Sequence, residues 1–300
     1  MSASRQAGDL TFRRNSASFL NIMSNENQVT PPVRVSEFLA QRAVFTVAEL
    51  DSFLSGRGST SRNTRKSLLT YYQARGRVLR LRRGLYAVVP IGSQPNVNAV
   101  DPYLVAAKMA DDAVLAYHTA LEFHGRAYSI YTRVTYATEM RAVPLRLGSK
   151  ELRSVPVPPA LRASGRQMFG VTSLRRAGTE LRVTDFERTF VDVLDRPDLV
   201  GSWEEIWRSL ELVEFFDLDR VAEYLHLLEN ATTAAKVGFF LEQHRDTLMV
   251  DEAYLEALRL LRPRQPHYLS RRGRGQSRLV KDWNLIVPVQ LLERPWEEQL

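Results

Sequence analysis

The 300-residue sequence predicts an α+β protein with two folded domains. Its length exceeds what one small hydrophobic core requires. Apolar residues at helical spacing alternate along the chain with short strand-like runs, and 44% hydrophobic with 25% charged residues is the composition of an ordinary globular protein. We therefore expect a disordered arm over residues 1–32, a first domain over 33–92 and a larger mixed α/β domain over 93–300 that ends in a helical region.

Composition also limits the compartment and the chemistry. No run approaches the roughly 20 apolar residues that span a bilayer, and the N-terminal residues lack the apolar centre of a secretory signal. We expect a cytoplasmic protein with no membrane partner. The sequence contains no cysteine, which excludes disulfides, thiolate zinc sites and cysteine nucleophiles.

Positive charge is concentrated in one segment. Between Ser52 and Val100 there is no Asp or Glu. The segment holds nine basic residues, more than the net charge of +7 of the whole chain, namely Arg57, Arg62, Arg65, Lys66, Arg75, Arg77, Arg80, Arg82 and Arg83. Arginine pairs bidentately with phosphate and with guanine edges, so the segment indicates a nucleic-acid partner. A solvated basic face kept for solubility is the alternative.

The elements of this segment follow one another in an informative order. Apolar residues at helical spacing predict a first helix from Val33, and Thr46 with Glu49 has the form of a capping box that starts a second helix. Glycines from Gly56 end that helix. A third helix is predicted from Ser61 to Arg75, followed by a hairpin over 77–90 that turns at 83–84.

Helix, capped helix, basic helix and basic hairpin together predict a winged helix-turn-helix that binds double-stranded DNA. The N-terminal turns of the third helix would enter the major groove, and the hairpin would hold phosphate or the minor groove. The predicted DNA contacts are Arg57, Ser61, Arg62, Asn63, Arg65, Lys66, Arg77, Arg80, Arg82 and Arg83. A surface helix with a charged face is the alternative interpretation.

The second domain combines strands and helices. Asp101 and Pro102 suit a helix start, and a further helix is expected over His118 to His124. Strands are predicted at Arg133 to Ala137, Leu152 to Val157, Met168 to Val171, Leu181 to Val183 and Trp283 to Pro288. Helices are predicted from Glu187, at Trp203 to Leu212, Asp219 to Leu228 and Thr233 to Gln243.

Two groups of residues could suggest chemistry. His118, Glu122 and His124 lack the spacing of a zinc-binding His-Glu-x-x-His helix, so we expect no metal site and no cofactor. Four carboxylates could hold magnesium in a nuclease, but cations stand among them and acids are common at helix starts. They are Asp185, Glu187, Asp192 and Asp195. We expect no catalytic residues and a protein that is not an enzyme.

A second acid-free basic stretch runs from Ala257 to Lys281. It offers a secondary surface for nucleic acid or for an acidic partner, at Arg271, Arg272, Arg274 and Arg278. A solvated loop without such a role is an equal alternative.

The ordered motifs resemble the AbiEi-type antitoxins of bacterial type IV toxin-antitoxin and abortive-infection systems. Each motif is short, but together they extend from residue 44 to 288. They are Val44-Phe45-Thr46 with Glu49-Leu50, Arg80 to Tyr86, Ala120-Leu121 with His124-Gly125, Glu187-Arg188-Thr189 with Asp192-Val193-Leu194, Lys236-Val237-Gly238 with Leu241-Glu242, and Trp283 to Pro288. The arm before Pro31 is longer than is typical of the family.

The resemblance implies a repressor that binds repeats in its own promoter and counteracts a nucleotidyltransferase-like toxin directly or indirectly. Apart from the resemblance, two copies of the chain on an inverted repeat would explain how one short helix achieves specificity. Two other hypotheses remain open. The chain could be a nucleic-acid-processing enzyme that docks through its winged helix, or a transcriptional regulator whose second domain holds an effector.

Overall fold

A computed structural model of the chain describes residues 33–56, 61–269 and 276–294. The chain divides into two compact units, Met1–Phe38 and Leu39–Leu300. The fold is a mixed α+β arrangement, as the sequence predicts. No helix among the described residues is both long and apolar enough to cross a membrane.

The helices alternate with strands in the first half of the described chain and dominate its second half. They are α1 (Val33–Ala40), α2 (Val47–Ser55), α3 (Arg62–Ala74), α4 (Pro102–Ala107), α5 (His118–Phe123), α6 (Pro159–Ala163), α7 (Phe186–Asp195), α8 (Trp203–Glu211), α9 (Leu218–Leu228), α10 (Ala231–Gln243), α11 (Glu252–Leu260) and α12 (Val289–Glu293).

The strands form three sheets within the described residues. Their bounds are β1 (Val44–Thr46), β2 (Val78–Arg82), β3 (Leu85–Val88), β4 (Val114–Leu115), β5 (Arg133–Thr138), β6 (Leu145–Leu147), β7 (Lys150–Pro156), β8 (Val171–Arg176), β9 (Thr179–Thr184), β10 (His267–Tyr268), β11 (Ser277–Val280) and β12 (Leu285–Pro288). The sheet orders are β1-β3-β2, β6-β7-β5-β4-β9-β8 and β10-β12-β11.

Local capping explains where the early helices begin. The Thr46 hydroxyl accepts the amide of Glu49 at 3.2 Å, and a Glu49 carboxylate oxygen accepts the amide of Thr46 at 2.8 Å, which completes the predicted capping box of α2. Ser61 is the N-cap of α3. Asp101 caps α4 with Pro102 as its first residue, also as predicted.

Two hydrophobic clusters hold Leu39–Leu300 together. One packs the helices α7 to α11 around Trp207 and Phe240. The other cluster contains Val44, Leu85 and Ala87, which belong to the first predicted domain. In the same cluster they pack with buried residues between Leu104 and Val183, which belong to the second predicted domain. Hydrophobic packing therefore continues across the predicted boundary at residues 92 and 93, and that boundary stays a prediction.

The structure departs from the predicted pattern around residue 170. The sequence predicts a strand from Met168 to Val171, but only Val171 belongs to a strand, as the first residue of β8. Residues 168–170 form a turn. Gly170 has a φ of +60°, and a Cβ built there would lie 2.7 Å from the Cβ of Arg188. The chain therefore turns at Gly170 to pass over α7, which the short apolar run did not indicate.

Candidate nucleic-acid interface

The helix α3 buries one side and exposes the other. Leu68, Leu69 and Tyr72 are buried, and Tyr72 follows the two leucines at spacings of four and three residues, as in the apolar stripe of an amphipathic helix. At its start, the Ser61 hydroxyl accepts the amide of Asn63 at 3.2 Å. The polar side of the N-terminal turns of α3 is exposed to solvent.

Three of the predicted contact residues are exposed on this side. Arg62, Asn63 and Lys66 are all exposed, and the side chains of Arg62 and Lys66 form no ion pair with any described residue. Arg62 and Lys66 are four residues apart and so lie on one face of the helix. This face can present two cations and one amide to an anionic partner.

Arg65 has a different environment. Its guanidinium pairs with the carboxylate of Asp51 on α2, and its side chain is 23% exposed. The ion pair joins α2 to α3 and occupies part of the Arg65 donor set. Arg65 is therefore placed to hold the two helices together as well as to approach a ligand.

The hairpin β2-β3 also divides its arginines into exposed and engaged ones. Arg80 and Arg83 are exposed, and Gly84 takes the positive φ of +82° that the turn needs. A Nη of Arg82 donates to the carbonyl of Met109 at 2.9 Å, and a register irregularity separates Arg80 from Arg82. Arg77 is partly buried, and its Nε has no hydrogen-bond partner among the described residues.

The segment that carries these residues is fastened to the following part of the chain. Lys108, just after α4, donates to Glu49 of α2 at 2.6 Å. Burial raises the pKa of Glu49, but the hydrogen bonds from Lys108 and Thr46 outweigh it and leave that pKa lowered. The amide of Ala43 reaches the carbonyl of Ala177 at 3.4 Å. The basic face is thus fixed relative to the six-stranded sheet.

Other predicted contact residues lie elsewhere. Arg57, Arg271, Arg272 and Arg274 lie outside the described residues. Arg278 is on β11, where its guanidinium lies 3.5 Å from Glu293 and its side chain is 68% exposed. Such an exposed pair contributes little to stability, so Arg278 stays a candidate for partner contact.

The histidine cluster turns out to be part of the core. His118 lies 3.0 Å from a Glu205 oxygen and 3.4 Å from Glu122, and the ring of Tyr131 stacks on it at 3.8 Å. His124 instead contacts the carbonyl of Thr184 at 2.8 Å. Glu205 was absent from the sequence-based cluster because it comes 87 residues after His118. Among the described residues no group of three acids or histidines is arranged to hold a metal ion.

Each of the four carboxylates that could suggest a nuclease is engaged by hydrogen bonds within the protein. Asp185 caps α7 and binds Arg220 at 2.8 Å, and Glu187 accepts the amide of Asp217. Asp195 accepts hydrogen bonds from Asn230 and Thr233 at 2.9 and 2.6 Å.

Asp192 is buried between Arg188 and Tyr224. Its two oxygens lie 3.4 Å from the Arg188 Nε and 2.5 Å from the Tyr224 hydroxyl. Arg188 also donates to the carbonyl of Phe169 at 2.7 Å. Burial raises the pKa of Asp192 to about 6, although Arg188 and Tyr224 oppose the shift. The Arg188–Asp192 pair lies within α7, whereas the bonds to Tyr224 and Phe169 join α7 to its neighbours.

Several motifs that carry the family resemblance meet in the core. Lys236 donates to the carbonyl of Leu194 at 2.9 Å. Gly238 lies against the Trp283 ring, where a Cβ would come within 2.1 Å of a ring carbon. The indole Nε1 of Trp283 donates to Glu242 at 2.7 Å. These residues hold α7, α10 and the segment before β12 together.

A partly open cleft lies between α8 and α10. Its volume is about 290 Å³, and its lining combines an apolar floor with a polar rim at Glu211, His244 and Arg294. His244 lies 3.0 Å from Glu211 and 3.3 Å from Arg294. Among the described residues, this cleft is one candidate site for the effector that the ligand-responsive hypothesis requires.

Comparison with known proteins adds information on the fold alone. No family model matches the chain, and no curated protein matches it at a significant level. The crystal structure of the Rv2827c protein from Mycobacterium tuberculosis is similar, with a TM-score of 0.57 and 20% sequence identity over 87% of this chain and 93% of that one. This likeness supports the mixed α+β architecture over most of the chain.

Proposed function

We propose that the chain is a DNA-binding antitoxin of the type IV toxin-antitoxin class, which represses its own promoter and counteracts a nucleotidyltransferase-like toxin in the cytoplasm. In this proposal residues 33–92 are a winged helix-turn-helix and the protein is not an enzyme. The carrying observation is the exposed face of α3, where Arg62, Asn63 and Lys66 lie in an acid-free segment that also holds the exposed hairpin arginines Arg80 and Arg83.

The interface would use its residues in two ways. The first turns of α3 would enter the major groove of double-stranded DNA, where an amide such as Asn63 can read adenine and Arg62 can read guanine. Lys66 would contact phosphate as a point charge. Arg80 and Arg83 would hold the backbone beside the helix and fix its register. Arg65 would act mainly by fixing α3 against α2 through Asp51.

The antitoxin part of the proposal is supported by the family resemblance. The motif residues that contribute to it, such as Gly238 and Trp283, pack in the core, so they would preserve the fold and not form the toxin contact itself. A direct toxin contact would therefore use surface residues outside these motifs. Indirect counteraction, through repression or through the toxin's substrate, fits the same structure.

DNA binding can be tested by anisotropy with the protein's own upstream region and a scrambled fragment, titrated with salt. We expect tight binding to the upstream fragment, falling steeply as salt rises. Arg62→Ala and Lys66→Ala should each weaken binding, and a residue that contacts phosphate should lower the salt slope by about 1. Arg162→Ala is the matched control, because Arg162 is an exposed arginine of α6 outside the basic segment.

Sequence-blind binding with no effect of either α3 variant would overturn the promoter-repressor proposal. The antitoxin role has a separate test. Co-expression with a nucleotidyltransferase encoded beside this chain should restore growth that the enzyme alone inhibits. Growth inhibition that persists at high levels of folded protein would contradict it.

A further inference from the structure

The strand β8 stands at an open end of the six-stranded sheet. It pairs with β9 on one side and is the last strand in the sheet order. Every residue from Thr172 to Arg176 is exposed. None of the described elements therefore covers this edge, although exposed strand edges are ready templates for pairing with another chain.

The turn determines which backbone groups of β8 face outward. Ala177 and Gly178 have φ values of +44° and +73°, as in a two-residue type I′ hairpin. The flanking residues Arg176 and Thr179 then form a hydrogen-bonded pair, and the bonds to β9 alternate from there. The amide and carbonyl groups of Ser173 and Arg175 consequently point away from β9.

One apolar side chain is left at this edge. Leu174 lies opposite Leu181 of β9 and on the same face of the sheet. Leu181 is fully buried, whereas Leu174 is 43% exposed. The hydrophobic core thus continues to the edge strand without being closed there. Arg176, on the same face, is held by Asp101 at 2.8 Å.

We propose that a second copy of this chain pairs with β8 in antiparallel orientation, with Leu174 on the two-fold axis. An antiparallel pair of identical strands is inherently two-fold symmetric, as an isologous dimer requires. In this register Leu174 faces its own counterpart, Ser173 faces Arg175, and Thr172 faces Arg176. Leucine thus covers leucine, and every arginine is opposite a hydroxyl group.

Charge and burial favour this register over its neighbours. An axis at Arg175 would place two identical cations directly opposite each other, which is unfavourable. An axis at Ser173 would put Leu174 opposite Thr172 and leave the apolar edge half covered. A dimer of this kind would give the proposed repressor two copies for the two halves of an inverted repeat. This role on DNA rests on the proposed function, whereas the strand pairing does not.

Cysteine trapping tests the pairing directly, because the chain has no cysteine of its own. Residues in a non-hydrogen-bonded antiparallel pair have Cα atoms about 4.5 Å apart, within the range of a disulfide. Leu174→Cys should therefore form a covalent dimer under mild oxidation. Ser173→Cys is the matched control, since diagonal positions across the axis are beyond disulfide reach. Equal or faster trapping of the control would overturn the Leu174 register.

A second variant keeps the test independent of disulfide chemistry. Leu174→Lys places two ammonium groups at the axis, so sedimentation should show a single 34.3 kDa species where the parent chain also shows one of twice that mass. Leu260→Lys, at an 86% exposed leucine of α11, should leave the dimer intact.

The failure of this proposal is distinguishable from the failure of the proposed function. A parent chain that sediments only as a monomer, together with a Leu174→Cys variant that forms no covalent dimer, overturns the dimer whatever the DNA affinity. The same holds if the edge accepts a strand from another protein and not from a second copy. Trapped dimers that bind no DNA would confirm the dimer and contradict the repressor.

Discussion

The ammonium of Lys108 lies 2.6 Å from one carboxylate oxygen of Glu49, while the other oxygen accepts the amide of Thr46 at 2.8 Å. A single carboxylate therefore closes the cap of α2 and ties that helix to the end of α4. Because α2 carries Asp51, the partner of Arg65, this contact helps to determine the position of the candidate DNA-binding helix.

Glu49→Gln should lower the free energy of unfolding by about 1 kcal/mol at neutral pH, the typical effect of losing a capping or charged hydrogen bond. Since folding lowers the pKa of Glu49 from its usual 4.5, its stabilising contribution is present above pH 4.5 and is lost as the pH falls through the lowered value. Urea unfolding at several pH values measures both effects. Equal destabilisation by the variant at neutral and at strongly acidic pH would contradict this account.

Arg65 and Asp51 should be energetically coupled. Arg65→Ala and Asp51→Ala should each cost only about 0.5–1 kcal/mol of stability, because their ion pair is partly exposed. The double variant should cost less than the sum of the two, because each single substitution already removes the same ion pair. Thermal or urea unfolding of the four proteins gives the coupling. Strict additivity would mean that the pair contributes nothing and that Arg65 is available for DNA.

Gly238→Ala should destabilise the protein although alanine is ordinarily the better helix residue by about 1 kcal/mol. The new methyl group would lie 2.1 Å from the Trp283 ring, so the ring must move out of a fully buried site. Overpacking of this kind costs roughly 1–3 kcal/mol.

The clash itself can be checked with a second substitution. Adding Trp283→Leu to Gly238→Ala should cost less than the two separate losses combined, since the smaller side chain makes room for the methyl group. A stabilising effect of Gly238→Ala alone would show that α10 and Trp283 are not in contact.

Asp192→Ala should cost about 3–5 kcal/mol, because it leaves the buried Arg188 without its anionic partner. Asp192→Asn should lose less, since its amide oxygen still accepts from Tyr224. Burial raises the pKa of Asp192 to about 6 against a usual 3.8. The protonated carboxyl is therefore favoured by the fold, and stability declines as the pH rises from about 3.8 to 6.

Unfolding curves of the two variants should be measured between pH 4 and 7, about the span of the Asp192 titration. They separate the loss of the buried contacts from the effect of ionisation. Asp192→Asn should flatten the dependence of stability on pH, because its amide does not titrate. The nuclease hypothesis makes a different prediction for the same residue. A magnesium-dependent cleavage activity lost in Asp192→Asn, at unchanged stability, would support an enzyme and contradict a purely structural role.

The sequence by itself determined the features that depend on near neighbours along the chain. The capping box of Thr46 and Glu49, the N-cap at Asp101 and the hairpin turn at Gly84 all form as predicted, because each involves groups within a few residues of one another. The segregation of positive charge is likewise a property of the sequence alone.

Only the tertiary structure decided which of the basic residues are free to meet a partner. Arg65 is paired with Asp51, and Arg82 is bound to the carbonyl of Met109, 27 residues away along the chain, whereas Arg62 and Lys66 stay exposed. The same holds for His118, which joins Glu205 in the core. The physical reason is that a charged group takes whichever partner the packing brings within a few ångströms, and residue spacing along the sequence does not encode that approach.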